Sequence, residues 1–325
     1  MIAKESYTSA DTFPIKVLQA SQEILSRTGK IRPYHIQLYP TNLCNLNCSF
    51  CSCANRNKTD VLPYSEIKSI VRTAKSLGCR AVTISGGGEP SLHPEINEII
   101  KFISKNGMRV GLTTNGISLD NIANSILNNH VTWLRISHSD LRTFYTPYKE
   151  HLYKKLRNCP RVDWGFSYVV TDAINYPVLT EIIKFSNEYN AVYVRLVSDL
   201  LQLENIIDMQ TIKNNLAHDN VDDSLVIYQG RKQFTYGRKK CLISLLKPVI
   251  NANGMIYPCC GSQYSTEIPD LSCSDSFSMG SATDLKSLYK NQKYFDGSKC
   301  HRCYYDDYNT VLDKLTTRVE HGEFL

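Results

Sequence analysis

Little in this sequence points to a membrane, an export route or a nucleic acid. No run approaches the roughly 20 consecutive apolar residues that a spanning helix needs. Residues 1–30 are polar and lack the apolar centre of a signal peptide. These absences predict a soluble, cytoplasmic protein with no membrane partner. Net charge is also scarce: 37 Lys and Arg against 31 Asp and Glu leave +6 over 325 residues. No nucleic-acid-binding motif accompanies that mild excess, so no nucleic-acid partner is inferred. Arg231-Lys232 and Arg238-Lys239-Lys240 form a local basic patch with Phe234 and Tyr236 between. A solvated loop accounts for it; the alternative is a contact for an anionic substrate, a nucleotide or an acidic peptide. Low-complexity tracts and internal repeats are missing as well.

Cysteine, in contrast, is plentiful, with 12 residues. In a reducing compartment clustered cysteines mean metal binding or catalysis rather than disulfides. The first cluster is Thr41-Asn42-Leu43-Cys44-Asn45-Leu46-Asn47-Cys48-Ser49-Phe50-Cys51-Ser52-Cys53. Thiolates are soft ligands that select iron–sulfur clusters or zinc. Three on one loop can hold three irons of a 4Fe-4S cube and leave the fourth open for chemistry. A zinc knuckle using Cys44, Cys48, Cys51 and Cys53 is the alternative, but zinc sites usually join two separated C-x2–4-C halves.

From residue 34 the pattern alternates strand and helix. Strands are expected at His35–Tyr39, Arg80–Ser85, Arg109–Thr113, Val131–Ser137, Val162–Val170 and Val192–Val197. Helices are expected at Ser65–Leu77, Ile96–Asn106, Leu119–Leu127, in a segment ending near Leu156, and at Tyr176–Tyr189. Before them, Asp11 or Thr12 caps a helix starting at Pro14, with Ile15, Leu18, Ile24 and Leu25 near one face. Six β–α steps imply an α/β fold with a parallel sheet, helices outside, and a site on the strands' C-terminal rim.

Chemistry-bearing residues fall on that rim. Ser85-Gly86-Gly87-Gly88-Glu89-Pro90 follows the second strand; its glycines permit close backbone approach to a ligand. Without a following Lys-Ser/Thr it is not a phosphate loop. Thr113-Thr114-Asn115-Gly116 ends the third strand. The fourth ends at Ser137-His138-Ser139-Asp140, where His138 suits proton transfer and Asp140 suits either substrate anchoring or a helix cap. Tyr168 and Arg195 are inward candidates on the fifth and sixth strands. Arg195 is read either as a bidentate carboxylate clamp or as half of an ion pair.

A second set comprises Cys241, Cys259, Cys300 and Cys303. Asn253-Gly254 between two apolar stretches predicts a hairpin that returns Cys259 toward Cys241. Four such thiolates could close a zinc site on spacing alone. Cys260 and Cys273 remain open as substitute ligands or substrate-facing thiols. Cys53, Cys79 and Cys159 read as ordinary small core or loop residues. The Tyr304–Tyr308 stretch precedes a helix expected to reach about Val319.

The C-x3-C-x-aromatic-C loop, followed after a helix and a strand by Gly-Gly-Glu, resembles the radical SAM superfamily. The resemblance implies a partial (β/α)6 TIM-type barrel followed by a small auxiliary iron–sulfur domain containing a β-hairpin. The divisions expected are an N-terminal extension over 1–32, the barrel over 33–200, a connector over 201–240 and the auxiliary domain over 241–325. It implies that Cys44, Cys48 and Cys51 hold a 4Fe-4S cluster chelated by S-adenosylmethionine, whose reductive cleavage gives a 5′-deoxyadenosyl radical. Gly87, Gly88 and Glu89 would meet the cofactor's amino end, Phe50 the adenine and Ser137 the ribose, with Asn115 and Arg195 completing the pocket. His138, Asp140 and Tyr168 would face substrate. The later cysteines are similar to the twitch half of a SPASM extension, implying an auxiliary 4Fe-4S cluster on Cys241, Cys259, Cys300 and Cys303. A reductant such as flavodoxin or ferredoxin is implied. The expected reaction is hydrogen abstraction leading to oxidation or rearrangement of a sugar, cyclitol or nucleotide. The alternatives are a peptide maturase, or a zinc-binding interaction protein without catalysis.

Overall fold

A computed structural model describes residues 4–8, 12–139, 141–172, 174–201, 207–230, 235–262, 275–317 and 320. Its frame is one sheet. Strands β1 (His35–Leu38), β2 (Ala81–Ile84), β3 (Arg109–Thr114), β4 (Trp133–Ser139), β5 (Asp163–Val170), β6 (Tyr193–Ser198) and β7 (Val226–Gln229) lie side by side in chain order, all parallel. The six expected strands are there. The seventh, with the helix Met209–His218 before it, falls where a connector was expected. Its four residues are too few to show a period. The expected hairpin forms from β8 (Val249–Ile250) and β9 (Met255–Tyr257), and β10 (Gly280–Ser281) pairs with β9. Because β8 pairs in parallel with β1, the hairpin extends the barrel sheet itself.

Helices form where apolar residues recur at three- and four-residue steps. Tyr64–Ser76 buries Ile67, Ile70, Val71 and Ala74, and Ile96–Lys105 buries Ile96, Ile99, Ile100 and Ile103. Gly78 and Gly107, at φ of 104° and 70°, end them as the left-handed cap requires. Two expectations are corrected. The first helix begins at Phe13 and breaks at Ala20; it buries Phe13, Val17, Ala20 and Ile24, while Ile15 and Leu18 are 58% and 73% exposed. Phe13, one residue before the expected start, opens the buried stripe. Thr12 makes no side-chain cap, since its hydroxyl donates to the Thr8 carbonyl at 2.7 Å, and Asp11 lies outside the described residues. The helix expected over Leu119–Leu127 divides into a 3-10 turn, Leu119–Asn121, and a helix, Asn124–His130. Asn97 Oδ1 accepts the Ala123 N–H between them at 2.9 Å.

Strand alternation separates two layers. Ile36, Leu38, Val82, Ile84, Val110, Leu112, Leu134, Ile136, Phe166, Val194 and Leu196, all at most 1% exposed, form the apolar face on which the helices pack. The register gives the other face Gln37, Thr83, Arg135, Ser137, Ser167 and Arg195. Gly111 and Gly165 on that face leave room for rings: a Cβ would come within 2.1 Å of Trp133 and 2.9 Å of Tyr193. The inside of the barrel is therefore polar and lined with aromatic edges.

Candidate active site

The cysteine loop leaves the C-terminal end of β1, and the glycine turn leaves that of β2. The two are bonded to each other. Gly88 N–H donates to the Thr41 carbonyl at 3.0 Å and Glu89 N–H to the Leu43 carbonyl at 2.7 Å. A Cβ on Gly87 would stand 2.1 Å from Asn42 Oδ1, and one on Gly88 2.1 Å from the Leu43 carbonyl. These glycines are thus required by the approach of the turn to the cysteine loop.

Glu89 is 2% exposed. Its Oε1 accepts Ser91 N–H at 3.0 Å, Ser91 Oγ at 2.7 Å and Thr114 Oγ1 at 2.7 Å, while Oε2 accepts Asn115 N–H at 2.7 Å. The carboxylate therefore ties the ends of β2 and β3 together rather than reaching outward. Asn115 continues the chain of contacts: its Nδ2 donates to Asn45 Oδ1 in the cysteine loop at 2.7 Å. Ser137 and Asn115 offer carbonyls to Arg142 Nη1 at 3.0 and 3.3 Å. Arg142 lies over the Tyr148 ring.

Cys44, Cys48 and Cys51 are half-buried, as is Phe50. Burial, then the neighbouring Cys51 and Cys44, raise the Cys48 pKa, and Arg142 and Arg56 oppose that rise. Arg56 grips the loop from inside: Nε donates to the Asn42 carbonyl at 2.8 Å, and Nη1 to the Cys53 carbonyl at 2.5 Å and to Cys51 Sγ at 3.7 Å. Sequence reasoning passed over Arg56 and Arg142. Both follow their motif by a few residues, and a lone arginine carries no spacing signal.

His138 and Tyr168, expected to face substrate, do not. Counting from Arg135 and Ser137, even-numbered β4 residues turn outward, and Tyr168 is the register partner of His138. Their rings stack with centroids 6.0 Å apart, and Phe144 meets His138 edge-on at 5.6 Å. Burial pushes the His138 pKa down to about 3, with Arg142 adding to the shift. Asp140 lies outside the described residues. Arg195 does point inward, where Nη2 donates to Ser167 Oγ at 3.0 Å.

Cys241, Cys259, Cys300 and Cys303 line one cavity. Cys241 N–H bonds to the Phe295 carbonyl at 3.2 Å, and Cys303 N–H to the Thr235 carbonyl at 2.7 Å. Gly237 lets its segment close onto the 3-10 turn Gly297–Lys299, since its Cβ would meet the Gly297 carbonyl at 2.1 Å. Burial raises Cys241 to about 12 and holds Cys259 well above its ordinary value. Donors nevertheless face the sulfurs: Asn309 Nδ2 stands 3.9 Å from Cys241 Sγ, and Tyr305 N–H 3.4 Å from Cys303 Sγ. An all-sulfur donor set with N–H groups directed at it fits a thiolate-bound metal centre. Among the described residues no three ligating side chains are already drawn around one ion position. Cys260 lies beside this group with Sγ 3.0 Å from the Tyr305 hydroxyl; Cys273 is outside the described residues. Cys53, Cys79 and Cys159 are buried.

Residues 38–165 match the family model of the radical SAM superfamily. A probable GTP 3′,8-cyclase of Methanococcus maripaludis (strain S2) is 28% identical over 204 residues, which is 59% of this chain and 64% of that protein. A probable GTP 3′,8-cyclase of Methanocaldococcus jannaschii is 32% identical over 130 residues, 39% of this chain and 40% of that one. Each match therefore leaves more than a third of the relative uncovered. Among solved structures, Streptococcus suis SuiB bound to precursor peptide SuiA superposes with a TM-score of 0.60 at 16% identity, covering 88% of this chain and 73% of that chain. Native anSMEcpe with bound AdoMet and Cp18Cys peptide gives 0.53 at 12% identity, with coverage of 90% and 85%. At such identities the two likenesses concern the fold. Residues 38–165, which carry the cysteine loop and the glycine turn, are thus a radical SAM domain.

Proposed function

We propose that this chain is a hydrogen-abstracting enzyme acting on a polar small molecule held inside the barrel, a sugar, cyclitol or nucleotide. The observation that carries the reading is the bonding of the glycine turn onto the cysteine loop at the C-terminal rim. Radical SAM enzymes use a 4Fe-4S cluster and S-adenosylmethionine, and here Cys44, Cys48 and Cys51 are the proposed ligands. Once bound, that pair supplies a carbon-centred radical able to take a hydrogen atom from an unactivated C–H bond.

The chain's own contribution is positioning. Gly87 and Gly88 present backbone at the cofactor's amino end, and Glu89 acts from behind by fixing the turn against Asn115. Ser137, Asn115 and the Phe50 backbone border the nucleoside. Arg142, oriented by two rim carbonyls, joins Arg195 as a candidate for the cofactor carboxylate. The polar inward face, from Gln37 to Ser167, orients substrate. Cys241, Cys259, Cys300 and Cys303 are proposed to hold a second 4Fe-4S cluster of the twitch type. It would accept an electron from substrate or position it. Flavodoxin or ferredoxin is the proposed reductant. The nucleotide option draws support from the archaeal relatives, which are named probable GTP 3′,8-cyclases.

The decisive assay is anaerobic purification, metal and sulfide analysis, then dithionite with S-adenosylmethionine. About eight irons per chain are expected from two 4Fe-4S clusters, and 5′-deoxyadenosine should accumulate. Zinc in place of iron, with no cleavage product, would sink the proposal. Replacing the four later cysteines together should remove only the second cluster's iron.

A further inference from the structure

The cavity shared by Cys241, Cys259, Cys300 and Cys303 is also lined by a carboxamide from far along the chain. Asn309, on the helix Asp306–Thr316, reaches into it and is 1% exposed. Both polar atoms of that side chain are engaged. Oδ1 accepts the Ile243 N–H at 2.9 Å, and Nδ2 stands 3.9 Å from Cys241 Sγ. The Ile243 amide fixes which way the carboxamide is turned. An N–H donor demands the oxygen, so the NH2 group is left for the sulfur. Ile243 opens the short helix Ile243–Leu246, whose preceding residue, Leu242, supplies no side-chain cap. Asn309 therefore caps that helix from 66 residues away. Leu312 is the other buried residue of its own helix. A carboxamide among such neighbours is costly unless both of its ends are used.

Both partners of the contact are held in place. The Cys241 carbonyl accepts Ser244 Oγ at 2.6 Å, and that hydroxyl accepts the Phe295 N–H at 3.1 Å. Arg238, in the segment before Cys241, pins the helix that carries Asn309. Its Nε donates to Asp306 Oδ1 and its Nη2 to Thr310 Oγ1, both at 2.7 Å. Tyr308 of the same helix stacks on Phe13 with centroids 4.0 Å apart. The donor at Cys303 is of another kind, since Tyr305 N–H lies only two residues on in the chain. The Asn309 amide is brought to its sulfur by tertiary packing. Burial pushes the Cys241 thiol up, and the bonds from Ser244 and Asn309 act against that rise.

We infer that Asn309 is a positioning residue of the second metal site, holding a hydrogen bond on the Cys241 thiolate in the metal-bound state. This rests on the proposed reading of the four cysteines as ligands of a second cluster. An N–H group directed at a thiolate offsets part of its negative charge. A cluster gains most from that offset in its more negative, reduced state, so the bond raises the cluster's reduction potential.

The test uses the full chain with Cys44, Cys48 and Cys51 replaced by serine, which isolates the second site. Iron and sulfide are restored without oxygen, and the potential is read by EPR-monitored titration. Asn309→Ala should favour the oxidised state about tenfold, the scale of one hydrogen bond to a charged group. For one electron that is a downward shift of about 59 mV. Thr310→Val, which removes the Arg238 bond from the same helix, is the control. Both substitutions should lower the unfolding temperature of the metal-free chain, and Thr310→Val should leave the potential where it was. An unchanged potential in Asn309→Ala would overturn the proposal, because a residue that only caps Ile243 leaves the sulfur alone. Equal shifts in the two variants would also overturn it, since they would mean loosened packing. Iron lost from Asn309→Ala and kept by Thr310→Val would support it. If the isolated site takes up zinc and no iron, the second-cluster reading fails by itself. The hydrogen bond is then read from zinc affinity against a chromophoric chelator, about tenfold weaker in Asn309→Ala than in Thr310→Val. Equal affinities would overturn the proposal, and uptake of neither metal would overturn both.

Discussion

At the scale of single residues, two side chains changed meaning once their neighbours were known. Arg56 sits in a stretch without a motif, yet its guanidinium spans two carbonyls and Cys51 Sγ. Hydrogen bonds and positive charge at the sulfurs favour a cluster's reduced state. Arg56→Gln should therefore lower the reduction potential of the first cluster, read by EPR-monitored titration, with iron content retained; an unchanged potential would refute the role. His138 moved the other way, from proton carrier to buried ring. Its folded pKa near 3 lies below the unfolded value of about 6.5, so the unfolded chain binds the extra proton between them. The stability it provides is complete above pH 6.5 and is lost as pH falls toward 3. By pH 5 the loss is about 2 kcal/mol, from 1.36 kcal/mol per unit over 1.5 units. His138→Phe, which suits the ring cluster of Phe144, Tyr148 and Tyr168, should flatten that acid limb in denaturant melts. If His138 were a catalytic acid or base, the same variant would abolish turnover. Here it should keep it.

Elements meet through glycine. The turn after β2 and the segments around the later cysteines use the same device, a missing Cβ that lets two backbones come together. Gly237→Ala would push a carbon into the Gly297 carbonyl and against Cys300 Cβ at 2.8 Å. It should cost the iron of the proposed second cluster while leaving the first cluster's spectrum in place. Equal loss from both would mean that the two sites fold as one. Legibility at this scale followed period length. Ile96–Lys105 has enough turns to reveal its apolar stripe, and its expected start was correct. The four residues of β7 have no such run, and the first helix misled because its stripe begins at Phe13, one residue before the proline that marked its start.

For the whole molecule, the residues before the barrel close its inner end. Lys4 Nζ donates to the Ser224 and Val226 carbonyls at 2.7 and 2.8 Å, Tyr7 stacks on Tyr193 with centroids 5.1 Å apart, and Thr8 Oγ1 donates to Gln229 Oε1 at 2.9 Å. Tyr7→Ala removes the stacking and the bond to Asp163. A loss of about 1–3 kcal/mol in denaturant unfolding is expected, and no loss would mean that the plug is dispensable. The cysteine loop, the glycine turn and the strand rhythm were legible in the sequence because each is local: spacing, a conformation only glycine tolerates, a period of two or 3.6. The sequence by itself therefore determined the resemblance to the radical SAM superfamily, the parallel sheet and the hairpin at Asn253-Gly254. Tertiary structure alone decided which face each strand residue takes, and that Glu89 is consumed by Ser91, Thr114 and Asn115. Tertiary structure also brought Asn115, at the end of β3, to Asn45 in the cysteine loop. Those outcomes depend on register and on contacts between distant segments, which no window of sequence contains.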